Sequence, residues 1–260
     1  MQNCNLNLFK FKNNFIVIKN LSNTTKNHRM KTEYIKKMVN FNEIQRDRWI
    51  NEKSRCIATG SIILDIGAGT CPYKDLFRHC SYFALDFVKY KGIKRNGRSH
   101  YGKINVISDI LHIPVKNDSV DVVLCTEVLE HVFDPISAIK EMARVLKTNG
   151  TILLTAPLGS GLHQLPYHFY GGFTPEWYKR CFDLNKLCAK SITPNGGFFK
   201  HLAQETARAG QYLEGDSNNF ISKNLLNFIK TELPQLYYLK EKDMFIPEFT
   251  VGYFVEGYKI

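Results

Sequence analysis

The pattern that most constrains this chain is an alternation, from Ser61 onward, of short apolar runs with longer amphipathic segments. Short, nearly continuous apolar runs are typical of parallel strands buried on both faces, and the segments between them have helical spacing. Repeated strand–helix–strand units form a parallel sheet with helices on both faces. The sequence therefore predicts an α/β, doubly wound fold.

Residues that commonly start or end helices predict the bounds of the elements. Asp134 and Pro135 predict a helix start, because aspartate can cap a helix and proline fits its first turn, and Asn149-Gly150 predicts the end of that helix. Thr174-Pro175 opens a further helix. The expected strands are residues 62–66, 82–85, 104–107, 120–125, 151–155, 187–193 and a closing aromatic segment, 249–258.

The length of 260 residues suits one α/β domain with additions. We predict an Asn/Lys-rich, basic extension at residues 1–39 and a main domain at residues 40–260 that begins with a helix at 41–58. A helical insertion is expected at about residues 198–248. It fits a substrate lid or a membrane-facing helix, and equally a segment that packs on the sheet edge.

The net charge of +11 lies mostly in the first 60 residues, so it does not favour a nucleic-acid partner for the main domain. The basic extension fits contact with anionic lipid or RNA, or a solvated tail. No apolar run approaches the ~20 residues needed to cross a bilayer, although peripheral membrane contact is left open. Seven scattered cysteines without a C-x-x-C pair predict a reducing, cytoplasmic setting.

Three successive strand ends carry residues suited to a nucleoside. Gly67 and Gly69 follow the first strand, where glycine permits a tight turn and a close ligand. Pro72 replaces the third glycine of a dinucleotide fingerprint, which disfavours a diphosphate. Asp86 can accept hydrogen bonds from ribose hydroxyls, and the Asp109-Ile110 pair can meet an adenine amino group and ring face. Taken singly, both aspartates also fit ordinary turns.

Residues 109–114, 117–132 and 144–150 resemble the type 11 class I methyltransferases, with similarity over roughly residues 60–195. The resemblance implies a Rossmann-like, mostly parallel seven-stranded sheet with an antiparallel last strand, and S-adenosyl-L-methionine as cofactor. Thr148-Asn149-Gly150 departs from the family's usual Pro-Gly-Gly turn. The implied cofactor-binding residues are Asp65, Gly67, Ala68, Gly69, Asp86, Asp109, Ile110, Cys125 and Thr126.

The acceptor side of such an enzyme needs a general base only if the acceptor loses a proton early. His163, His168 and Tyr170 lie in the Gly-rich loop after the fifth strand, and we expect His168 to be the catalytic base. The alternative is that these side chains only pack the loop. Replacing His168 by alanine would distinguish the two.

Glu127, Glu130 and His131 form an E-x-x-E-H run after the fourth strand. On a helix they would share one face and could bind a divalent cation. Similar spacing occurs in metal-assisted O-methyltransferases, but also in many type 11 members with no evident metal role, and acidic residues suit a helix start. We therefore assign no metal and leave the question of a divalent ion open.

The leading expectation is methyl transfer from S-adenosylmethionine, as O-methylation, to a small-molecule, sugar or lipid-linked glycan acceptor. Residues 166–176 and 194–199 loosely resemble bacterial type 11 members linked to surface-polysaccharide or small-molecule modification. The alternatives are an NAD-dependent oxidoreductase on a similar fold and a non-catalytic adenosyl-binding protein. A nucleic-acid acceptor is not favoured, because no RNA-binding motif is evident.

Overall fold

The computed structural model describes residues 38–91, 101–215 and 221–260. Apart from residues 38 and 39, the predicted N-terminal extension lies outside these ranges, and so does Cys4. The strands are β1 (Ile62–Ile66), β2 (Ser81–Asp86), β3 (Val106–Ile107), β4 (Val120–Thr126), β5 (Leu146–Pro157), β6 (Leu187–Pro194) and β7 (Gly252–Lys259). The helices are α1 (Phe41–Ser54), α2 (Pro135–Val145), α3 (Pro175–Leu184), α4 (Phe198–Gly215), α5 (Lys223–Asn227) and α6 (Leu233–Lys240).

The seven strands form one sheet in the order β3-β2-β1-β4-β5-β7-β6. The pairs from β3 to β5 are parallel, and β7 lies antiparallel between β5 and β6. The strand order reverses between β1 and β4, which in such sheets is the switch point where ligands bind. The predicted doubly wound sheet with an antiparallel last strand is confirmed.

Apolar side chains cover both faces of this sheet. On one face, α2 and α3 contribute to the larger buried cluster through residues such as Ile139 and Phe182. On the other face, Trp49 and Ile50 of α1 join residues of β1, β4 and β7. Trp49 stacks on Phe254 of β7 with ring centroids 5.2 Å apart. The helix predicted at residues 41–58 is therefore present, but it ends at Ser54. It packs against this face of the sheet.

The cap predicted for α2 is present, because Asp134 Oδ1 accepts a hydrogen bond of 3.0 Å from Ser137 N. The predicted end of this helix at Asn149-Gly150 is wrong. Leu146 is fully buried, has an extended backbone and pairs with Val120 of β4. Residues 147–150 lie in a register shift of the ladder, so the sheet begins where a continued helix was expected.

The third strand is shorter than the expected 104–107, since only Val106 and Ile107 pair with β2. In the region of the predicted insertion, the described residues form α4, α5, a π-helical turn at Phe228–Glu232 and α6, which pack mainly on one another. The buried Glu241 carboxylate accepts from the backbone N–H groups of Gly197 and Lys200, which ties the end of α6 to the start of α4. Among the described residues, no helix has the length and apolar character needed to cross a bilayer.

The position of β7 between two strands predicts a strict size limit at Gly257. A Cβ there would lie 2.6 Å from the Phe182 ring and 2.7 Å from the Cys188 carbonyl oxygen. We expect Gly257→Ala to lower the free energy of unfolding by roughly 1–3 kcal/mol, because it overpacks a closed layer. Urea denaturation would measure the change. Gly159→Ala, which meets no atom within 4 Å, is the control, and equal midpoints for the two variants would contradict the packing argument.

Candidate functional site

A cavity of about 960 Å³ opens at the carboxyl ends of β1, β2 and β4. Residues 108–111, 127–128 and 131–133, together with the loop that follows β5, complete its walls. This is the place where a doubly wound sheet binds its ligand. Five of the predicted cofactor-binding residues line the cavity: Gly67, Gly69, Asp86, Asp109 and Ile110.

The turn after β1 has a backbone that requires glycine. Gly67 has a φ of +70°, and a Cβ at this position would overlap the side chain of Val128. The N–H groups of Gly67 and Ala68 both donate to the Leu85 carbonyl, at 2.8 and 3.1 Å. The turn is therefore held against the end of β2 and leaves its backbone open to the cavity.

Two carboxylates lie at the next two strand ends. Asp86 is buried; its Oδ2 accepts from Gly69 N at 3.0 Å and its Oδ1 from Val88 N at 2.9 Å. Asp109 is exposed at the cavity edge, where its Oδ1 accepts from Leu111 N at 3.0 Å. Each carboxylate keeps free lone pairs beyond these bonds, so both can accept hydrogen bonds from hydroxyl or amino groups of a ligand.

The other four predicted cofactor-binding residues, Asp65, Ala68, Cys125 and Thr126, are not among those lining the cavity. Cys125 is fully buried in the core, as expected for an inert thiol. Asp65 is buried within β1 and accepts a hydrogen bond from the Tyr82 hydroxyl. Burial raises the pKa of Asp65 to about 7, because desolvation outweighs the stabilising bond from Tyr82.

Arg46 was missed by the sequence reasoning. It projects from α1, and its Nη1 lies 3.5 Å from Glu127 Oε2, while its Nε donates to the Tyr73 hydroxyl at 2.9 Å. Burial alone would lower its pKa, but Glu127 and Tyr73 more than compensate and raise it. Thr155 Oγ1 donates to the other Glu127 oxygen at 2.8 Å. The sequence feature that could have identified Arg46 is its position on the apolar side of the helix that precedes the first strand.

The E-x-x-E-H run does not form the helix face that its spacing suggested. Glu127 has a φ of +53°, which reverses the chain, and only Leu129–His131 form a 3-10 turn. Glu127 therefore faces Arg46, whereas Glu130 is buried beside His131, with 3.7 Å between Glu130 Oε1 and His131 Nε2. Burial raises the pKa of Glu130 well above its usual value, and the charge of Glu127 adds to this.

Three imidazoles meet at the cavity wall. The ring centroids of His131 and His163 are 4.7 Å apart, and His168 lies 4.6 Å from His163. His131 and His163 line the cavity, while His168 does not; its Nε2 lies 3.1 Å from Ser160 Oγ. Burial lowers the pKa of His131 to about 4, and burial together with the neighbouring His163 lowers that of His168, so both rings are neutral bases at pH 7.

Comparison with known proteins identifies the central part of the chain. Residues 64–154 match the type 11 family described as a methyltransferase domain. This match runs from within β1 to most of β5 and includes the glycine turn, Asp86 and Asp109. Over these residues the chain is similar to the type 11 class I methyltransferases.

Curated relatives match a part of the chain as well. Demethylmenaquinone methyltransferase of Thermobifida fusca is 30% identical over 102 residues, which cover 37% of this chain and 43% of that protein. An uncharacterized protein of Methanocaldococcus jannaschii is 31% identical over 93 residues, 36% of this chain and 39% of its own length. The chain thus aligns with less than half of each of these relatives.

Solved structures share the fold over most of the chain. A candidate sarcosine dimethylglycine methyltransferase from Galdieria sulphuraria superposes with a TM-score of 0.54 at 16% identity, over 83% of this chain and 86% of that one. The [4+2]-cyclase SpnF superposes with a TM-score of 0.51 at 15% identity, over 83% and 81%. Because the second of these is a cyclase, the shared fold does not determine the reaction.

The buried Asp65 predicts a pH-dependent stability. Its pKa is about 7 in the folded chain and near 4 when unfolded, so the folded state binds the proton more tightly. This contribution to stability is complete below pH 4 and is lost as the pH rises to 7. Asp65→Asn should remove it and raise the free energy of unfolding at pH 8, relative to the unsubstituted protein, by up to the order of 4 kcal/mol.

Denaturant titrations at pH 5 and pH 8 would measure the effect, with the exposed Asp75→Asn as control. If Asp65→Asn and the unsubstituted protein kept the same stability difference at both pH values, Asp65 would not be a buried acid with a raised pKa.

Proposed function

We propose that this chain transfers the methyl group of S-adenosyl-L-methionine to a hydroxyl oxygen of a small-molecule, sugar or lipid-linked glycan acceptor. The observation that carries the proposal is the convergence of three strand ends on one cavity. These ends present a glycine turn, the Asp86 carboxylate and the Asp109-Ile110 pair in succession. The match of residues 64–154 to a methyltransferase domain supports it.

The cavity residues fit this cofactor. The turn at Gly67 and Gly69 has positive φ at both glycines and leaves room for a ligand against the backbone. Asp86 is positioned to accept hydrogen bonds from the ribose hydroxyls, Asp109 to accept from the adenine amino group, and Ile110 to pack on the base. When bound, S-adenosylmethionine supplies an activated methyl group on a sulfonium. The chain itself holds the acceptor in line with that methyl and excludes water.

The acceptor would enter beneath the loop after β5. This loop is fastened to the 3-10 turn, because Phe169 N and Tyr170 N both donate to the Glu130 carbonyl, at 2.9 and 3.2 Å. Aromatic side chains dominate this side of the cavity, including Phe87 and Tyr167, whose rings meet edge to face at 5.0 Å. Aromatic walls suit the apolar face of a sugar ring or a lipid chain. They are therefore compatible with a glycan or amphiphilic acceptor.

His168 is retained as the proposed general base. An acceptor hydroxyl must give up its proton as the new oxygen–carbon bond forms, and a neutral imidazole is the side chain suited to take it at pH 7. His168 does not line the cavity, but its ring adjoins His163, which does. We also keep the cytoplasm as the proposed location, since the six cysteines of the described ranges are all free thiols.

Cofactor binding tests the proposal directly. Calorimetry should show that the purified chain binds S-adenosylhomocysteine and gives no heat with NAD. Asp86→Asn and Asp109→Asn should each weaken binding by about 10–100-fold, because a hydrogen bond to a charged group is worth about 1.5–3 kcal/mol. Asp183→Asn, on an exposed face of α3, is the matched control. Binding of NAD without S-adenosylhomocysteine would replace the proposal with the oxidoreductase alternative.

The role of His168 is tested with an acceptor found by screening sugars, glycolipids and hydroxylated metabolites with a methyl-labelled donor. His168→Ala should lower the rate about 10²–10⁴-fold. In the unsubstituted enzyme the rate should fall as the pH drops below the lowered pKa of His168, because the protonated ring cannot accept a proton. The variant should lose this limb of the profile. With His112→Ala as control, an unchanged rate and profile would exclude His168 from the reaction.

A further inference from the structure

One wall of the cavity carries a group of three potential metal ligands. A carboxylate oxygen of Glu130 and one ring nitrogen each of His131 and His163 all lie within 4.8 Å of one another. Residues from two separate segments thus converge, the 3-10 turn after β4 and the loop after β5. Glu127, the first residue of the E-x-x-E-H run, is not part of this group, because it bonds to Thr155 and Arg46.

The hydrogen bonds of the two histidines determine which ring nitrogen is available. His131 Nδ1 lies 2.7 Å from the Tyr167 carbonyl oxygen, and His163 Nδ1 lies 2.9 Å from the Gly161 carbonyl oxygen. A carbonyl can only accept, so in each ring Nδ1 carries the hydrogen and Nε2 presents a lone pair. Metal-ligating histidines are oriented in this way, with the second nitrogen donating to a carbonyl or carboxylate.

Two of these acceptor atoms are buried and lack a partner. Among the residues that the structure describes, neither Glu130 Oε2 nor His131 Nε2 has a hydrogen-bond partner. The Glu130 side chain is only 1% exposed, so water does not compensate for the missing bond. A buried carboxylate and a buried imidazole lone pair that face each other without a donor require either a proton or a metal cation between them.

We propose that Glu130, His131 and His163 bind one divalent transition-metal ion of the zinc class. Two imidazoles and one carboxylate are the donors that Zn²⁺ and its neighbours prefer, whereas Mg²⁺ prefers oxygen ligands alone. A tetrahedral zinc site holds its donors roughly 3.3 Å apart, given Zn–N distances of ~2.0 Å. Glu130 Oε1 and His131 Nε2 are at 3.7 Å, and the exposed His163 ring can move the remaining distance.

Three protein ligands leave one coordination position open, as in catalytic rather than structural zinc sites. His131 and His163 both line the cavity, so the open position faces the space assigned to the acceptor. A metal there would hold an oxygen atom of the acceptor and so favour a hydroxyl or a carboxylate among candidate substrates. This last consequence rests on the proposed methyl transfer, whereas the metal site itself does not.

Cobalt(II) binding tests the site without reference to activity. The full chain is stripped with a chelator and titrated with Co²⁺, which gives visible absorption bands in a tetrahedral nitrogen–oxygen site, and with Zn²⁺ in a calorimeter. We expect one equivalent to bind. His163→Ala, an exposed substitution that should not affect folding, and Glu130→Gln should each weaken binding by at least about 100-fold, since even outer-shell changes cost about 10–100-fold. His112→Ala, an exposed histidine outside the cavity lining, should bind as the unsubstituted protein does.

Three results would overturn the proposal: no cobalt or zinc binding by the folded chain, equal binding by His163→Ala, or a spectrum with thiolate charge-transfer bands, which would assign the ion to cysteines. In the first case a proton on Glu130 would be the group between the carboxylate and His131. Titrating S-adenosylhomocysteine into the same metal-free protein separates the two proposals. Cofactor binding without metal binding rejects only the metal site, and metal binding without cofactor binding rejects only the proposed methyl donor.

Discussion

The docking of the β1 turn on the end of β2 is the interaction on which the cavity depends. Two consecutive N–H groups, of Gly67 and Ala68, donate to the single carbonyl of Leu85, and Gly69 N donates to Asp86. This arrangement is possible only with positive φ at Gly67 and no side chain there, since Val128 occupies the space. The hydrogen bonds that close the turn also orient the Asp86 carboxylate. The backbone conformation of the turn therefore determines where this ligand-binding group lies.

This coupling explains why much of the site could be predicted from sequence. A parallel strand buried on both faces is apolar until it ends, and its first polar or glycine residue therefore marks the ligand edge of the sheet. Gly67, Asp86 and Asp109 lie at or just beyond such strand ends, and all three line the cavity. Asp65 and Cys125 show the limit of the same logic, because positions near a strand end can still face the core instead of the ligand.

The errors arose where long-range pairing overrode a local pattern. Asn149-Gly150 is a sound helix-stop signal, but Leu146 gains more by entering the sheet beside Val120, and the helix ends early. Likewise, the spacing of Glu127 and His131 suits a helix face only if the backbone is helical, and the positive φ of Glu127 prevents this. No residue type at that position announces a positive φ, so neither departure was visible without the tertiary contacts.

The reversal at Glu127 also separates two carboxylates that lie three positions apart in the sequence. Glu127 turns towards α1 and pairs with Arg46, so its charge is balanced by a guanidinium. Glu130 turns the other way, into a buried space shared with His131, where the charge of Arg46 only partly offsets the cost of burying the carboxylate. The first carboxylate thus connects the N-terminal helix to the cavity, while the second lies beside a neutral imidazole and has one oxygen without a hydrogen-bond partner among the described residues. A segment that looked like a single acidic motif therefore contributes to two physically different environments, one on each side of the same turn.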